Sequence, residues 1–167
     1  MTVTIDGSAS VTINSGAILG ITSGTAVAST SGTSIDFTSI PSWVKRLTVL
    51  FSGVSTTGSA LLLVQLGVST PVTSGYVGAT QAVAATSSTA GFIIYAEAAQ
   101  SYTGIMTINA FGSNLWVQSN TGTYTAPQGV YGAGRVTLSG TLDRIRITTV
   151  NGTDTFDLGS VNIMYEG

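Results

Sequence analysis

Seven carboxylates hold most of the acid–base chemistry open to this chain: Asp6, Asp36, Glu97, Asp143, Asp154, Asp157 and Glu166. Two of them at a fixed separation would be enough for glycoside hydrolysis. Four fall within Leu142–Glu166, at apparent strand ends and turns, which makes a carbohydrate-active enzyme or free lectin the weakest of three function classes. The chain has no His and no Cys. That removes Ser-His-Asp and Cys-His nucleophiles, most zinc sites, disulfides and thiol chemistry. The reading is therefore non-enzymatic, with no catalytic residue, cofactor or metal assigned.

The run Asn151-Gly152-Thr153-Asp154-Thr155-Phe156-Asp157 offers oxygen ligands for a hard cation such as Ca²⁺, and Asn151-Gly152-Thr153 matches a glycosylation sequon. Asn-Gly between two alternating runs is also the favoured type I′ hairpin turn, whose two central residues take positive φ. The turn is the preferred reading, and cation binding by Asp154 and Asp157 stays open.

The basic residues Lys45, Arg46, Arg144 and Arg146 are candidate interface residues, since Arg forms bidentate pairs with carboxylates. Ordinary surface pairing, worth under ~1 kcal/mol, competes equally. Lys45-Arg46 has Asp36 or Asp143 as possible partners. Tyr76, Tyr124 and Tyr131 fall in polar, turn-rich stretches and are candidate receptor-binding residues, because exposed aromatic rings stack on sugar CH faces. Trp43 and Trp116 are recognition candidates on the same ground; Trp43, beside Pro41 and directly before an apolar run, is expected instead at the rim of the core, and for Trp116 the alternative is a cap on a strand.

Elements must hold these residues in place, and composition bounds what those elements are. The chain has 167 residues, of which 7% are charged, against ~25% in a typical globular protein. Its 27 Thr, 21 Ser and 21 Gly make a sheet-forming, turn-rich composition. Mean hydropathy is +0.43, but the longest tight apolar cluster is Ala60–Val64, far short of the ~20 residues of a membrane span. Leu47–Ala96 and Ala98–Gly134 contain no charge at all. A surface this bland tends to associate, so a homo-oligomer or shell component is expected. A net charge of −2 gives no basic patch for nucleic acid or for anionic lipid. The first residues show no basic and apolar signal pattern.

Val3, Ile5, Val11 and Ile13 alternate around Asp6-Gly7 and suggest a small hairpin. Gly16–Thr33 is rich in Gly, Ser, Thr and Ala, an extended arm, a linker, or strands completed by a neighbour. The expected division is therefore an attachment segment over 1–33 and a sandwich over 34–167. Strands are expected at Ser34–Phe37, Val44–Ser52, Ala60–Leu66, Gly91–Ala96, Thr103–Ala110, Leu115–Ser119, Arg135–Leu138, Leu142–Val150 and Val161–Tyr165, with one helical turn near Ala96–Tyr102. Pro71–Thr89 and Gly122–Gly134 read as long loops. Uneven connections favour Greek-key crossings, hence an all-β antiparallel sandwich of jelly-roll type.

Two segments carry a resemblance. TSIDFTSIPSWVKRLTVLFSGVS over Thr33–Ser55 and SGTLDRIRITTVNGTDTFDLGSVNIMYE over Ser139–Glu166 together resemble a domain of structural proteins from tailed bacteriophages and prophages, often labelled tail-fibre proteins. The likeness is a collinear pattern over roughly the last four fifths of the chain. It implies a virion protein assembled in the bacterial host cytoplasm and commonly trimeric. Two roles follow: a tail-fibre or spike component meeting a host saccharide or receptor, or a head decoration or head-fibre protein docked on the capsid by residues 1–33.

Overall fold

A computed structural model describes residues 12–13, 16–17, 20–94, 100–125 and 128–167. These residues form no helix. Two small antiparallel pieces come first, β1 (Thr12–Ile13) with β2 (Gly16–Ala17). Then follow β3 (Thr22–Ser23), β4 (Val27–Ala28), β5 (Ile35–Thr38), β6 (Arg46–Thr56), β7 (Leu62–Val68) and β8 (Thr70–Pro71). β9 (Val77–Gln81), β10 (Ala85–Ser87), β11 (Phe92–Ile94), β12 (Tyr102–Gly112), β13 (Leu115–Tyr124), β14 (Gly129–Thr137), β15 (Arg144–Thr149) and β16 (Phe156–Glu166) complete the order.

The larger sheet runs β10-β9-β14-β13-β12-β6-β16, and β3 and β4 share the outer edge of β16. The smaller runs β11-β7-β15-β5, with β8 folded back onto β7. All pairings are antiparallel. From β5 onward the chain steps repeatedly from one sheet to the other, which is why its connections are uneven. The pairings establish an antiparallel sandwich; they do not establish a jelly-roll order.

Alternation builds the core. In β6, Leu47, Val49 and Phe51 point inward and are buried, while Thr48 and Leu50 lie on the other face. They meet Ile108 and Met106 of β12 and the inward side chains of β7 and β15, including Val64, Leu66, Ile145 and Ile147. β7 is buried along nearly its whole length, as its continuous apolar run predicts.

Several expectations change. Pro71–Thr89 is not one long loop: it contains β8, β9 and β10. Gly122–Gly134 is not a loop either, since β13 runs to Tyr124 and β14 begins at Gly129. Glycine there serves close packing rather than turning. A Cβ at Gly122 would lie 2.4 Å from the Tyr102 ring, so the neighbouring strand leaves room for that ring. Asn151-Gly152 does not close a hairpin, because β15 and β16 belong to different sheets and only Gly152 has positive φ. Instead the Gly152 N–H donates to the Thr149 carbonyl at 3.0 Å, closing a turn at a sheet crossover. The two-residue turn with both φ positive is Ser113-Asn114, between β12 and β13.

Most of the expected N-terminal hairpin, and residues 96–99 of the expected helical turn, lie outside the described residues. Tyr102 of that turn opens β12. Residues 20–33 lie along β16 rather than apart from the sandwich. Ser29 is buried there, with its N–H on the Gly159 carbonyl at 2.9 Å and its hydroxyl on the Leu158 carbonyl at 2.7 Å.

Candidate functional site

The outward side chains of the larger sheet form rows across the strands, fixed by register. Val77, Arg135 and Val117 stand side by side. The next row, Ala79, Ala133 and Ser119, is low. Gln81, Tyr131 and Thr121 make the third. The short middle row is the floor of two adjoining hollows. One, of about 670 Å³, is bordered by Val77, Val117, Arg135 and Ser87–Thr89. The other, of about 390 Å³, is bordered by Tyr131, Gln81, Thr121 and Ser119. The outward side chains at the second are uncharged, with hydroxyl and amide groups beside one phenol ring. That set suits hydrogen bonding and ring stacking and offers no acid–base pair.

Of the three candidate receptor-binding tyrosines, only Tyr131 reaches solvent, at 54% exposure. Tyr76 is 1% exposed and Tyr124 is 4% exposed, so a receptor-binding role for these two rings is corrected to a packing role. The Tyr76 hydroxyl accepts the Leu66 N–H at 2.7 Å and donates to the Leu66 carbonyl at 3.3 Å. Its ring meets Phe92 edge-on at 4.9 Å, and burial pushes its phenol pKa well up. Tyr124 packs edge-on to Tyr102 at 6.3 Å. Burial likewise pushes Tyr102 up, to about 12, partly offset by Asn120 beside it. Polar surroundings in the sequence concealed both core tyrosines. Trp116 is buried, and Trp43 packs partly buried against Tyr165, in keeping with a rim position.

The basic residues find partners within the chain. Arg146 holds Asp36 with two hydrogen bonds, at 2.8 and 3.0 Å. Arg144 holds Asp143 at 2.8 Å, and Arg46 lies 3.6 Å from Glu166. Asp36 and Asp143 are thus taken by Arg146 and Arg144 rather than by Lys45-Arg46. Arg144 also keeps the Asp143 carboxyl below its usual pKa, helped by the Ser69 N–H at 2.9 Å. The Asp36 carboxylate raises Arg146 further. Lys45 is exposed at a hollow of about 180 Å³ at one end of the sandwich, beside Asn114, Trp116 and Thr141.

The carboxylates of the 151–157 run are also engaged. Asp154 accepts from the Asn151 amide at 2.7 Å and the Ala60 N–H at 3.0 Å, and these bonds hold its pKa down. Asp157 accepts from the Ser55 hydroxyl. Among the described residues no three His, Cys, Asp or Glu side chains group as metal ligands.

Arg135, Gln81 and Val117 were not singled out from the sequence. The available signal was the alternation of Tyr131, Ala133 and Arg135 with Gly132 and Gly134, which marks a strand with a close-packed inner face. No family model matches the chain, no curated protein matches it in sequence, and no solved structure matches it.

Proposed function

We propose that this protein is a non-enzymatic structural component of a tailed-phage virion, a trimeric tail-fibre or spike subunit that meets the host surface. The observation that carries this reading is Tyr131, exposed on a sheet face between Gln81 and Thr121 above a floor of alanine and serine. An uncharged groove with one stacking ring fits weak binding of a surface saccharide. Several copies on one particle turn weak binding into firm attachment. The resemblance of Thr33–Ser55 and Ser139–Glu166 to phage structural proteins supplies the context.

A second reading, a head decoration or head-fibre protein, draws on the N-terminal segment. Residues 20–33 lie on the sandwich edge, and β3 and β4 each pair with β16 over only two residues. A strip of short strands at the free edge of a sheet suits a docking arm on the capsid.

Antibody labelling of intact particles under the electron microscope separates the two. Label at the tail supports host contact, and label over the head supports decoration. Particles without label sink both.

A further inference from the structure

The two outer faces of the sandwich differ in chemistry. On the smaller sheet, Asp36 faces Arg146 across β5 and β15, and Asp143 with Arg144 lies in the adjoining row. These charged pairs are partly solvated on the β5–β15 side, while Leu63, Gln65 and Ile93 on the same face are buried. The larger sheet from β13 to β16 presents Ile105 between Thr121 and Leu50, Thr107 between Ser119 and Thr48, and Met164 beside Thr48. Among the described residues, this stretch carries charge only at its two ends, in the Arg46–Glu166 pair at one and in Asp157, hydrogen-bonded by the Ser55 hydroxyl, at the other. Ile105 is 44% exposed and Phe111 78% exposed.

We infer that this face, formed by β13, β12, β6, β16 and the β3/β4 strip, is covered by a neighbouring copy of the same chain. The inference rests on the reading above only for the expectation of three copies, and it names the surface that joins them. Area supports it. Four strands of 10 or 11 residues, at ~4.8 Å spacing and ~3.3 Å per residue, span about 19 Å by about 33 Å, and the shorter β3/β4 strip widens this toward the ~800 Å² each partner gives a standard interface. Charge supports the choice of partner. Copies related by symmetry bring like surfaces close together, where unpaired like charges repel; here the central rows have none, the Arg46–Glu166 pair is internally neutral, and the lone carboxylate, Asp157, stands at the far end of β16. The threonine and serine hydroxyls both donate and accept, so the face can satisfy a copy of itself. Tyr131, on β14, lies beyond the covered strands, and Ser119 and Thr121 of β13 form the border that the interface shares with the Tyr131 groove.

Analytical ultracentrifugation of the full chain, alongside Thr107→Lys, Ile105→Lys and the control Thr148→Lys on the smaller sheet, tests this. The wild type and the control should sediment as an oligomer, at three times the 16.9 kDa chain mass if trimeric. Each outer-face lysine should weaken association at least tenfold while the circular dichroism spectrum stays that of a folded sheet protein. A monomeric wild type, or folded lysine variants of unchanged mass, would overturn the inference. Should the lysine variants fail to fold, Thr107→Cys gives a second measurement in a chain with no other cysteine. A spin label there should show slow motion and inter-label broadening that a label at Thr148→Cys lacks. Equal mobility at both positions would also overturn it. An oligomeric protein on unlabelled particles would remove the virion reading and leave this interface standing. A monomeric protein found on particles would do the reverse.

Discussion

The Arg146 guanidinium grips the Asp36 carboxylate with two parallel hydrogen bonds, and the two residues stand directly opposite each other across β5 and β15. β5 is the edge strand of the smaller sheet, only four residues long, and this pair is its one ionic tie. Both side chains are about one-third exposed, so solvent screens the pair and its net worth is under ~1 kcal/mol. A double-mutant cycle of Asp36→Ala and Arg146→Ala, read by urea unfolding, should give a coupling energy in that range that shrinks in high salt. A coupling of several kcal/mol would show that the pair is far better shielded than its exposure suggests.

Gly159 and Gly53 provide a matched contrast. Both have positive φ, at 91° and 61°. A Cβ at Gly159 would fall 2.3 Å from the Gly53 carbonyl oxygen, whereas one at Gly53 meets nothing within 4 Å. Gly53→Ala should cost about 1–2 kcal/mol for the left-handed backbone alone. Gly159→Ala should cost clearly more, because the bulge where β6 meets β16 must also open. Equal losses in denaturant unfolding would remove the packing part of the argument.

Gln118 is buried at 2% exposure, and its amide makes no hydrogen bond with the described residues. An apolar side chain of similar volume removes the desolvation cost of that amide. Gln118→Leu should therefore leave the Tm unchanged or raise it. A drop of more than a few degrees would mean that the amide is satisfied in solution, for instance by internal water.

The tyrosines predict opposite outcomes. Tyr76→Phe leaves the Leu66 N–H buried without its partner, at a cost of about 1–3 kcal/mol. Tyr131→Ala, at an exposed site, should move the Tm little and lower adsorption of particles to host cells several-fold. Adsorption unchanged by Tyr131→Ala would count against the host-contact reading.

Acid stability follows from Asp143 and Asp154. Both carboxyls have folded pKa values lowered by hydrogen bonds, to Arg144 and the Ser69 N–H, and to Asn151 and the Ala60 N–H. A group lowered in the folded state adds stability that is full above its unfolded pKa, about 3.9, and fades as pH falls through the folded value. Stability should be flat with respect to these groups from pH 7 to about 5 and should fall below about 4. Asp154→Asn should shrink that acid-side loss; an unchanged acid limb in this variant would argue against the Asp154 contribution.

The sequence by itself determined the class of fold and much of its core. Hydroxyl-rich, β-branched runs with period-two alternation dictate strands, and the placement of Leu47, Val49 and Phe51 on one face follows from that period alone. The nearly continuous apolar run Ala60–Leu66, interrupted by Gln65, was likewise compatible with the burial on both faces that β7 shows. Only the tertiary structure decided which polar stretches were strands. β9, β10 and β14 are rich in Gly and Ala, residues depleted in strands, and pairing with β13 and with each other overrules that local preference. It also decided the fate of the tyrosines. Tyr76 and Tyr124 sit in sequence neighbourhoods much like that of Tyr131; Tyr124 and Tyr131 turn inward and outward according to strand parity, which a one-residue difference in register reverses, and Tyr76, just ahead of β9, is turned inward onto Leu66. The partner of Arg146 was set by pairing as well, since Asp36 comes to face it through a strand pairing between residues 110 apart in the chain, whereas Arg144 holds its own sequence neighbour, Asp143.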